Sequence, residues 1–207
     1  MAVNDTVIEA ALLAALELAA EKPWSDITLA EIAAKAGLPL QDFHGISGRE
    51  DIVEAMDGYF DRAMSADGVP EDVSGRERLF DVIMKRFEAM EPYRPGLREL
   101  MKFREASLTH VLRLPVHRHA SAAWALASAG LDDDSGAPAS LKRIVVAFVI
   151  ASTERAWRRE KSADFALTMA ALDKGLRHAE DRLGQLRRFT SKSEKTETTD
   201  KPDKGEA

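Results

Sequence analysis

Residues 27–56 read ITLAEIAAKAGLPLQDFHGISGREDIVEAM, and this stretch decides the fold. It begins with the capping-box pattern TLAE, in which the Thr28 hydroxyl caps the Glu31 N–H and the Glu31 carboxylate reaches back to Thr28. Gly37 stands where a left-handed residue ends a short helix, and Pro39 suits the first position of a second one that reaches about His44. Two short helices around a glycine turn predict a helix-turn-helix.

Helix patterns dominate the rest of the chain, and strand patterns are nearly absent. An apolar stripe at residues 8, 12, 15 and 19 predicts an amphipathic first helix from about Asp5 to Lys22. Capping boxes formed by Ser47 with Glu50 and by Ser74 with Glu77 predict two further helices. Others are predicted to begin near residues 95, 115, 140 and 162, where capping residues or prolines precede apolar stripes, and the helix from residue 140 is predicted to reach about Glu160. The sequence therefore predicts an all-α protein of about nine helices.

The composition is that of a globular protein: 207 residues, 45% hydrophobic and 31% charged, with a net charge of −6. The absence of cysteine excludes disulfides and thiolate metal sites. The first 21 residues carry four acidic residues and no basic region, so they do not resemble a signal peptide. The longest apolar run, residues 144–152, is too short to span a bilayer. We expect a cytoplasmic protein, and peripheral contact with the inner membrane stays open.

Sequence patterns typical of enzymes are missing. There is no phosphate-binding glycine loop, no nucleophile-elbow serine and no zinc-binding HExxH pattern. His110, His117 and His119 do not have the spacing that places metal ligands on one helical face. We therefore predict a protein that is not an enzyme and needs no metal or cofactor.

The predicted last helix begins at Ser162 and carries a heptad seam. Its apolar residues follow one another at alternating spacings of four and three, which is typical of a helix that pairs with a second helix. The seam predicts a homodimer contact through Phe165, Met169, Leu172, Leu176 and Leu183. No bulky apolar residue occurs from residue 190 to residue 207, and we predict a disordered polar tail there.

The stretch 27–56 resembles the N-terminal domain of the TetR family. The likeness rests on Thr28, Ile32, Ala33, Ala36, Gly37 and Leu38 before the turn, and on Ile46, Arg49, Glu50 and Ile52 after it. The resemblance implies an all-α, TetR-like fold with an N-terminal helix-turn-helix three-helix unit, residues 1–64. It also implies a C-terminal helical domain for ligand binding and dimerisation, residues 65–189. The segment between the glycine and Ile46 is one residue shorter than the family pattern.

The charge of the N-terminal unit is unusual for a protein that binds DNA. Residues 1–60 contain three basic and eleven acidic residues, a net charge of −8. Lys and Arg contacts to phosphates supply most of the non-specific affinity for DNA, so this unit would repel a duplex. If it does bind DNA, the resemblance points to Thr28, Lys35, Gln41, His44 and Arg49, with Gln41 able to read adenine.

The C-terminal half resembles a second family, the ubiquinone-biosynthesis accessory family Coq-nine. The likeness lies in residues 157–173, WRREKSADFALTMAALD, through Ser162, Asp164, Thr168, Leu172 and Asp173. It implies a TetR fold that no longer binds DNA, binding of an isoprenoid lipid, and a hydroxylase partner. It also implies membrane contact near the C-terminus, where residues 174–189 carry a net charge of +3. A dimer seam explains the same segment equally well.

Two functions follow from these resemblances. The preferred one is a lipid-binding accessory protein of ubiquinone biosynthesis, and the alternative is a ligand-responsive transcriptional regulator of the TetR family. The predicted ligand contacts are the large apolar residues of the middle helices: Phe87, Met90, Leu100, Met101, Trp124, Phe148 and Trp157. A place in the core is the more common fate of any one such residue.

Overall fold

A computed structural model describes residues 2–44, 48–66, 68 and 73–197, with side chains from residue 5 to residue 185 within those ranges. These residues form helices and loops and contain no strand, which confirms the all-α prediction. The α-helices are α1 (Ala2–Glu21), α2 (Leu29–Ala36), α3 (Arg49–Asp61), α4 (Gly75–Met90), α5 (Arg94–Ala106), α6 (Leu108–Ser128), α7 (Ala139–Trp157) and α8 (Ala166–Glu197). Short 3-10 helices occupy Trp24–Asp26, Leu40–Phe43, Arg62–Ser65 and Glu91–Tyr93.

The N-terminal unit forms the predicted motif, but its second short helix is a single 3-10 turn. The Glu31 N–H donates to the Thr28 hydroxyl at 3.2 Å, and the Thr28 N–H donates to the Glu31 carboxylate at 2.8 Å, so the capping box forms. Gly37 ends α2 with φ +69°. The helix predicted over residues 39–44 is limited to Leu40–Phe43, because Pro39 and His44 both have extended backbones. The predicted short helix is therefore present, but it is one residue shorter at each end and is a 3-10 helix.

Four other predicted boundaries differ from the structure. Helix α1 begins at Ala2 rather than Asp5, and α7 ends at Trp157. Pro115 lies inside α6, where it leaves one carbonyl without its helical donor. The last helix begins at Ala166 rather than Ser162, because Phe165 has a left-handed backbone with φ +57°. The capping box predicted at Ser47 lies outside the described residues, and α8 runs to Glu197, into the segment predicted to be a tail.

One hydrophobic core continues from the N-terminal unit into the C-terminal helices. Helix α1 packs against α2, α3 and α5, and α7 packs between α6 and α8. The α1–α5 contact is unusually close at Gly96, where a Cβ atom would lie 2.0 Å from the Leu16 carbonyl oxygen. Only glycine allows the two backbones to approach in this way.

A buried ionic network joins α3 to the C-terminal helices, and we call it the Arg86 network. The Arg86 guanidinium on α4 donates to Asp61 at 2.6 Å and to Asp57 at 2.9 Å. Arg104 on α5 donates to the other oxygen of Asp57 at 2.6 Å, and the Ser121 hydroxyl on α6 donates to Asp61 at 2.5 Å. All five side chains are buried. The network therefore connects four helices through groups that have no access to water.

The two carboxyl groups of the network are held differently. Burial opposes ionisation of Asp57, but the Arg104 and Arg86 guanidinium groups outweigh this effect and lower its pKa. At Asp61 burial dominates over the attraction of Arg86 and raises the pKa. Asp57 thus lies between two guanidinium groups, whereas Arg86 is the guanidinium partner of Asp61.

Substituting Gly96 by alanine should destabilise the protein. The new methyl group would collide with the backbone of α1 rather than with a flexible side chain, and forced overpacking costs about 1–3 kcal/mol. Gly58→Ala is the matched control, since no atom lies within 4 Å of its added Cβ and alanine stabilises a helix interior by about 0.5–1 kcal/mol. Urea unfolding of both variants measures the difference, and equal stabilities would contradict the close approach.

Substituting Arg86 by methionine should destabilise the protein by about 3–5 kcal/mol, because buried Asp61 loses its guanidinium partner and buried Asp57 keeps only Arg104. The matched control is Arg62→Met, which breaks an exposed ion pair with Glu9 on α1 and should cost less than about 1 kcal/mol. Chemical unfolding measures both values. Similar losses in the two variants would mean that the buried network contributes no more than a surface pair.

Candidate functional site

The exposed side of the helix-turn-helix is small and partly acidic. Phe43 is buried and anchors the 3-10 turn, while Gln41, Asp42 and His44 are exposed around it. Thr28, one of the predicted DNA contacts, uses its hydroxyl in the capping box. Gln41 and His44 are therefore the predicted base-reading side chains that the structure leaves accessible beside the turn.

Each of the three basic side chains in residues 1–60 has a partner within the chain. Lys22 lies 2.5 Å from Glu31, and Lys35 lies 2.8 Å from Glu17. Arg49 donates to the carbonyl oxygens of Trp24 and Ile27, and its guanidinium stacks over the Trp24 ring at 5.2 Å. Arg49 thus stabilises the N-terminal unit, and its predicted role toward DNA conflicts with these contacts.

The pKa shifts agree with these pairings. Hydrogen bonds from Lys22 and Thr28 lower the pKa of Glu31 from its ordinary value of 4.5 to about 2. The hydrogen bond to Glu17 raises the pKa of Lys35. Glu50 and Asp51 stand in the first turn of α3, where they suit the helix dipole. This face therefore presents carboxylates to an approaching phosphate backbone.

An apolar groove lies between α4, α6, α7 and α8, and we call it the α4–α8 groove. Its volume is about 370 Å³. Most of its lining is aliphatic: Leu79, Leu126, Leu131, Val145, Val146, Leu176, Ala179 and Leu183. Polar side chains at the groove are Arg76, Ser135, Lys142 and Glu180. The volume falls within the range of small-molecule sites, and the aliphatic lining with few polar groups is typical of them.

Lys142 shapes the groove through the loop between α6 and α7. Its ammonium group donates to the carbonyl oxygens of Leu131 and Asp133 at 3.2 and 3.0 Å, and to the Asp133 carboxylate at 3.2 Å. These bonds hold the loop beside Leu131, which lines the groove. The ammonium group is thus occupied by the protein itself, and the groove offers a ligand mainly apolar contacts.

The predicted ligand residues do not line the α4–α8 groove. Five of them have side chains no more than 1% exposed and belong to the core: Phe87, Met90, Leu100, Met101 and Trp157. Trp124 and Phe148 are exposed, and Phe148 borders a separate shallow cleft between α7 and α8. The sequence prediction favoured the largest apolar side chains, whereas the groove is lined by medium-sized aliphatic residues of four helices and of the loop between α6 and α7.

The heptad seam of α8 faces the core of its own chain at its centre. Leu172 is 0% exposed and Leu176 is 3% exposed, and α8 makes its main packing contact with α7. Gly175 permits this approach, since a Cβ there would lie 3.2 Å from Val149. Met169 is 38% exposed, while Phe165 and Leu183 are half-buried. Leu172 and Leu176 therefore pack within their own chain, and the homodimer contact predicted through this seam stays a prediction.

The same burial affects the membrane contact predicted for residues 174–189. Leu176 faces the core, and the side chains of Leu186 and Phe189 lie outside the described residues. Among the described residues no helix is long and apolar enough to cross a bilayer.

The residues that carry the Coq-nine resemblance form a cap for α8. The Glu160 carboxylate accepts the Ser162 N–H and hydroxyl at 3.2 and 2.7 Å, and the N–H groups of Leu167 and Thr168 at 2.7 and 3.1 Å. Asp164 accepts the Ala166 N–H at 3.2 Å. Ser162, Asp164 and Thr168 therefore have a structural role, and the sequence analysis missed Glu160, their common partner.

Histidines do not assemble a metal site. His110 is buried beside Phe103 and Glu54, and no group of three or more metal-ligating side chains occurs in the part of the chain that the structure describes.

Substituting Glu160 by glutamine should lower the melting temperature at neutral pH. Burial opposes ionisation of Glu160, but its N–H and hydroxyl donors outweigh this and lower the pKa from 4.5 to about 2. Because the folded pKa is below the unfolded one, the stabilisation is complete above pH 4.5 and is lost as the pH falls towards 2. The difference between wild type and variant should shrink over that range. The control is Glu180→Gln, at an exposed position of α8. If the difference in melting temperature between wild type and Glu160→Gln did not change with pH, the lowered pKa of Glu160 would be contradicted.

Comparisons with known proteins identify the architecture. No family model matches the sequence, and neither does any curated protein. A solved TetR transcriptional regulator from Nitrosomonas europaea is similar over 84% of this chain and 98% of its own, with a TM-score of 0.69 and 19% identity. A TetR transcriptional regulator from Rhodococcus sp. RHA1 is similar over 82% of this chain and 92% of its own, with a TM-score of 0.59 and 14% identity. The chain is therefore a TetR-fold protein.

Proposed function

We propose that this TetR-fold protein binds an apolar small molecule in the α4–α8 groove. The observation that carries the proposal is the groove itself, a cavity of about 370 Å³ with a largely aliphatic lining. An apolar ligand gains free energy in proportion to the apolar surface that it buries. The intrachain bonds of Lys142 leave that cation committed to the loop.

The finer proposal is that the ligand is an isoprenoid lipid and that the protein is an accessory factor of ubiquinone biosynthesis. Its support is the resemblance of residues 157–173 to the Coq-nine family and the aliphatic character of the groove. In this role a hydroxylase would be the partner that receives the lipid. The structural use of Ser162 and Thr168 explains that part of the resemblance by folding alone, so the lipid must be tested directly.

A ligand-responsive transcriptional regulator is the second candidate, and the comparisons favour it. The protein is similar to two solved TetR regulators over more than 80% of its length. Gln41 and His44 are exposed beside the 3-10 turn, as base contacts require. Against it stand the net charge of −8 and the intrachain partners of Lys22, Lys35 and Arg49.

A homodimer is part of both candidates. Phe148 lines the shallow cleft between α7 and α8 and is 72% exposed, and Ile144, four residues before it on α7, is 49% exposed. Burial of a large apolar side chain contributes about 1.5–3 kcal/mol. We propose that these two residues of α7, together with Met169, form the contact in place of the buried Leu172 and Leu176.

Gly184→Phe should abolish ligand binding. Gly184 lines the groove and has no atom within 4 Å of an added Cβ, so a phenyl ring occupies the cavity without displacing backbone. The test is a fluorescence titration with geranylgeraniol and with the neutral probe N-phenylnaphthylamine, and we expect at least a tenfold loss of affinity, about 1.4 kcal/mol. Gly184→Ala is the matched control and should bind as wild type. Equal binding by the phenylalanine variant would place the ligand elsewhere.

The same preparation distinguishes the two candidates. Random duplex DNA should bind more weakly than about 1 mM at physiological salt, because few cations are free to neutralise phosphates. Mass spectrometry of the purified protein should then detect a bound isoprenoid or quinone. Selection from a random oligonucleotide pool is the opposing test: recovery of one palindromic site whose binding is lost in Gln41→Ala would establish the regulator. Arg49→Ala is unsuitable for this selection because the Arg49 side chain donates to the Trp24 carbonyl oxygen and stabilises the N-terminal unit.

A further inference from the structure

One wall of the α4–α8 groove is formed by the first turn of α4, where two arginines have no partner. Arg76 lines the groove and is half-buried, and in the ranges that the structure describes its guanidinium makes no hydrogen bond or ion pair. Arg78 lies close by, since its Nη2 atom would be 3.9 Å from a Cβ added to Gly75, which also lines the groove. This wall therefore carries guanidinium groups that the fold does not use.

The Arg78 guanidinium also contains a buried donor. Its Nε atom has no access to water and no hydrogen-bond partner among the described residues. A buried donor without an acceptor costs free energy, so the great majority of such groups in folded proteins have a partner. A bound molecule that carries an acceptor would give this donor the partner that the described chain does not provide.

The other charged groups at this wall leave the two arginines free. The Glu77 carboxylate accepts the Ser74 N–H at 2.9 Å within the capping box, and the Lys142 ammonium is held by the loop between α6 and α7. Glu180 lines the groove, but it is exposed and forms no ion pair with a described residue. The wall also contains the N-terminus of α4, the positive end of a 16-residue helix. Two guanidinium groups and a helix N-terminus thus stand against one unpaired carboxylate.

We propose that the ligand of the α4–α8 groove is an amphipathic anion, with its aliphatic chain among Leu126, Val146 and Leu176 and its carboxylate or phosphate head on Arg76 and Arg78. This inference rests on the proposed function, because it names the chemical class of ligand for the same groove. Guanidinium groups hold carboxylates and phosphates through charge-assisted hydrogen bonds, which are about twice as strong as neutral ones. A neutral molecule with the same chain gives the arginines no anionic partner and therefore binds more weakly.

Ligands that share one chain and differ in the head group test the proposal. Dodecanoate, dodecyl phosphate and dodecanol are titrated against the full-length protein, and each is measured by its displacement of N-phenylnaphthylamine. We expect at least one of the two anions to bind at least about tenfold more tightly than dodecanol. The stronger of the two anions identifies the head as carboxylate or phosphate. Dodecanol binding as tight as that of both anions would overturn the proposal.

Substitution of the arginines tests where the head group binds. Arg76→Gln and Arg78→Gln should each weaken binding of the preferred anion at least about fivefold and leave dodecanol binding unchanged, which also shows that the variant is folded. The matched control is Arg98→Gln, which removes the same charge from an exposed position of α5 that lines none of the described cavities.

Two outcomes separate this inference from the proposed function. An equal loss of anion binding in Arg98→Gln and Arg76→Gln would reduce the effect to net charge and overturn the head-group site, while dodecanol binding would still support the groove. If neither the probe nor dodecanol binds to the wild type, the proposed function fails and this inference fails with it.

Discussion

The orientation of the N-terminal unit depends on the Arg86 network. Asp57 and Asp61 belong to α3, and their guanidinium partners, Arg86 and Arg104, belong to α4 and α5. If α3 moved away from these helices, the buried carboxyl groups would lose their partners, which costs free energy. Helix α4 also contributes Leu79 to the α4–α8 groove. Leu79 and Arg86 are seven residues apart, about two helical turns along one face. A ligand that displaces α4 therefore acts on the element that fixes the helix-turn-helix, which is the physical link that a regulator would need.

The charge of the N-terminal unit limits its affinity for DNA. In the N-terminal unit the three basic side chains of residues 1–60 stabilise the unit itself, two by ion pairs and Arg49 by bonds to backbone carbonyls. A protein–DNA complex requires cations that are free to replace counterions along the phosphate backbone. The TetR fold supplies the geometry of a reading turn, but geometry alone gives little affinity for DNA. This imbalance is the main reason to place the binding of a small apolar molecule first.

Local patterns predicted the fold well, and tertiary contacts explain most of the errors. The Thr28 and Ser74 capping boxes and the Gly37 helix end depend on residues close in sequence, and all three formed as predicted. The position of α8 could not be read in this way, because Glu160 caps it across an irregular segment and Phe165 adopts a left-handed backbone. The groove was missed for a related reason. Periodicity identifies the apolar face of each helix, but it does not show where α4, α6, α7 and α8 leave a gap between those faces.

The heptad seam of α8 shows that a packing pattern does not identify the helix that packs against it. Spacings of four and three indicate that a helix packs along a stripe, but they do not say whether the other helix belongs to the same chain. Here Gly175 lets α7 approach closely, and Leu172 and Leu176 are buried within the chain. The apolar side chains that remain exposed lie outside this seam. They are Phe148 and Ile144 on α7, and Leu108, Leu112 and Val116 on α6. Because both consist of side chains that the fold itself does not need, they can change with the partner while the TetR architecture stays the same.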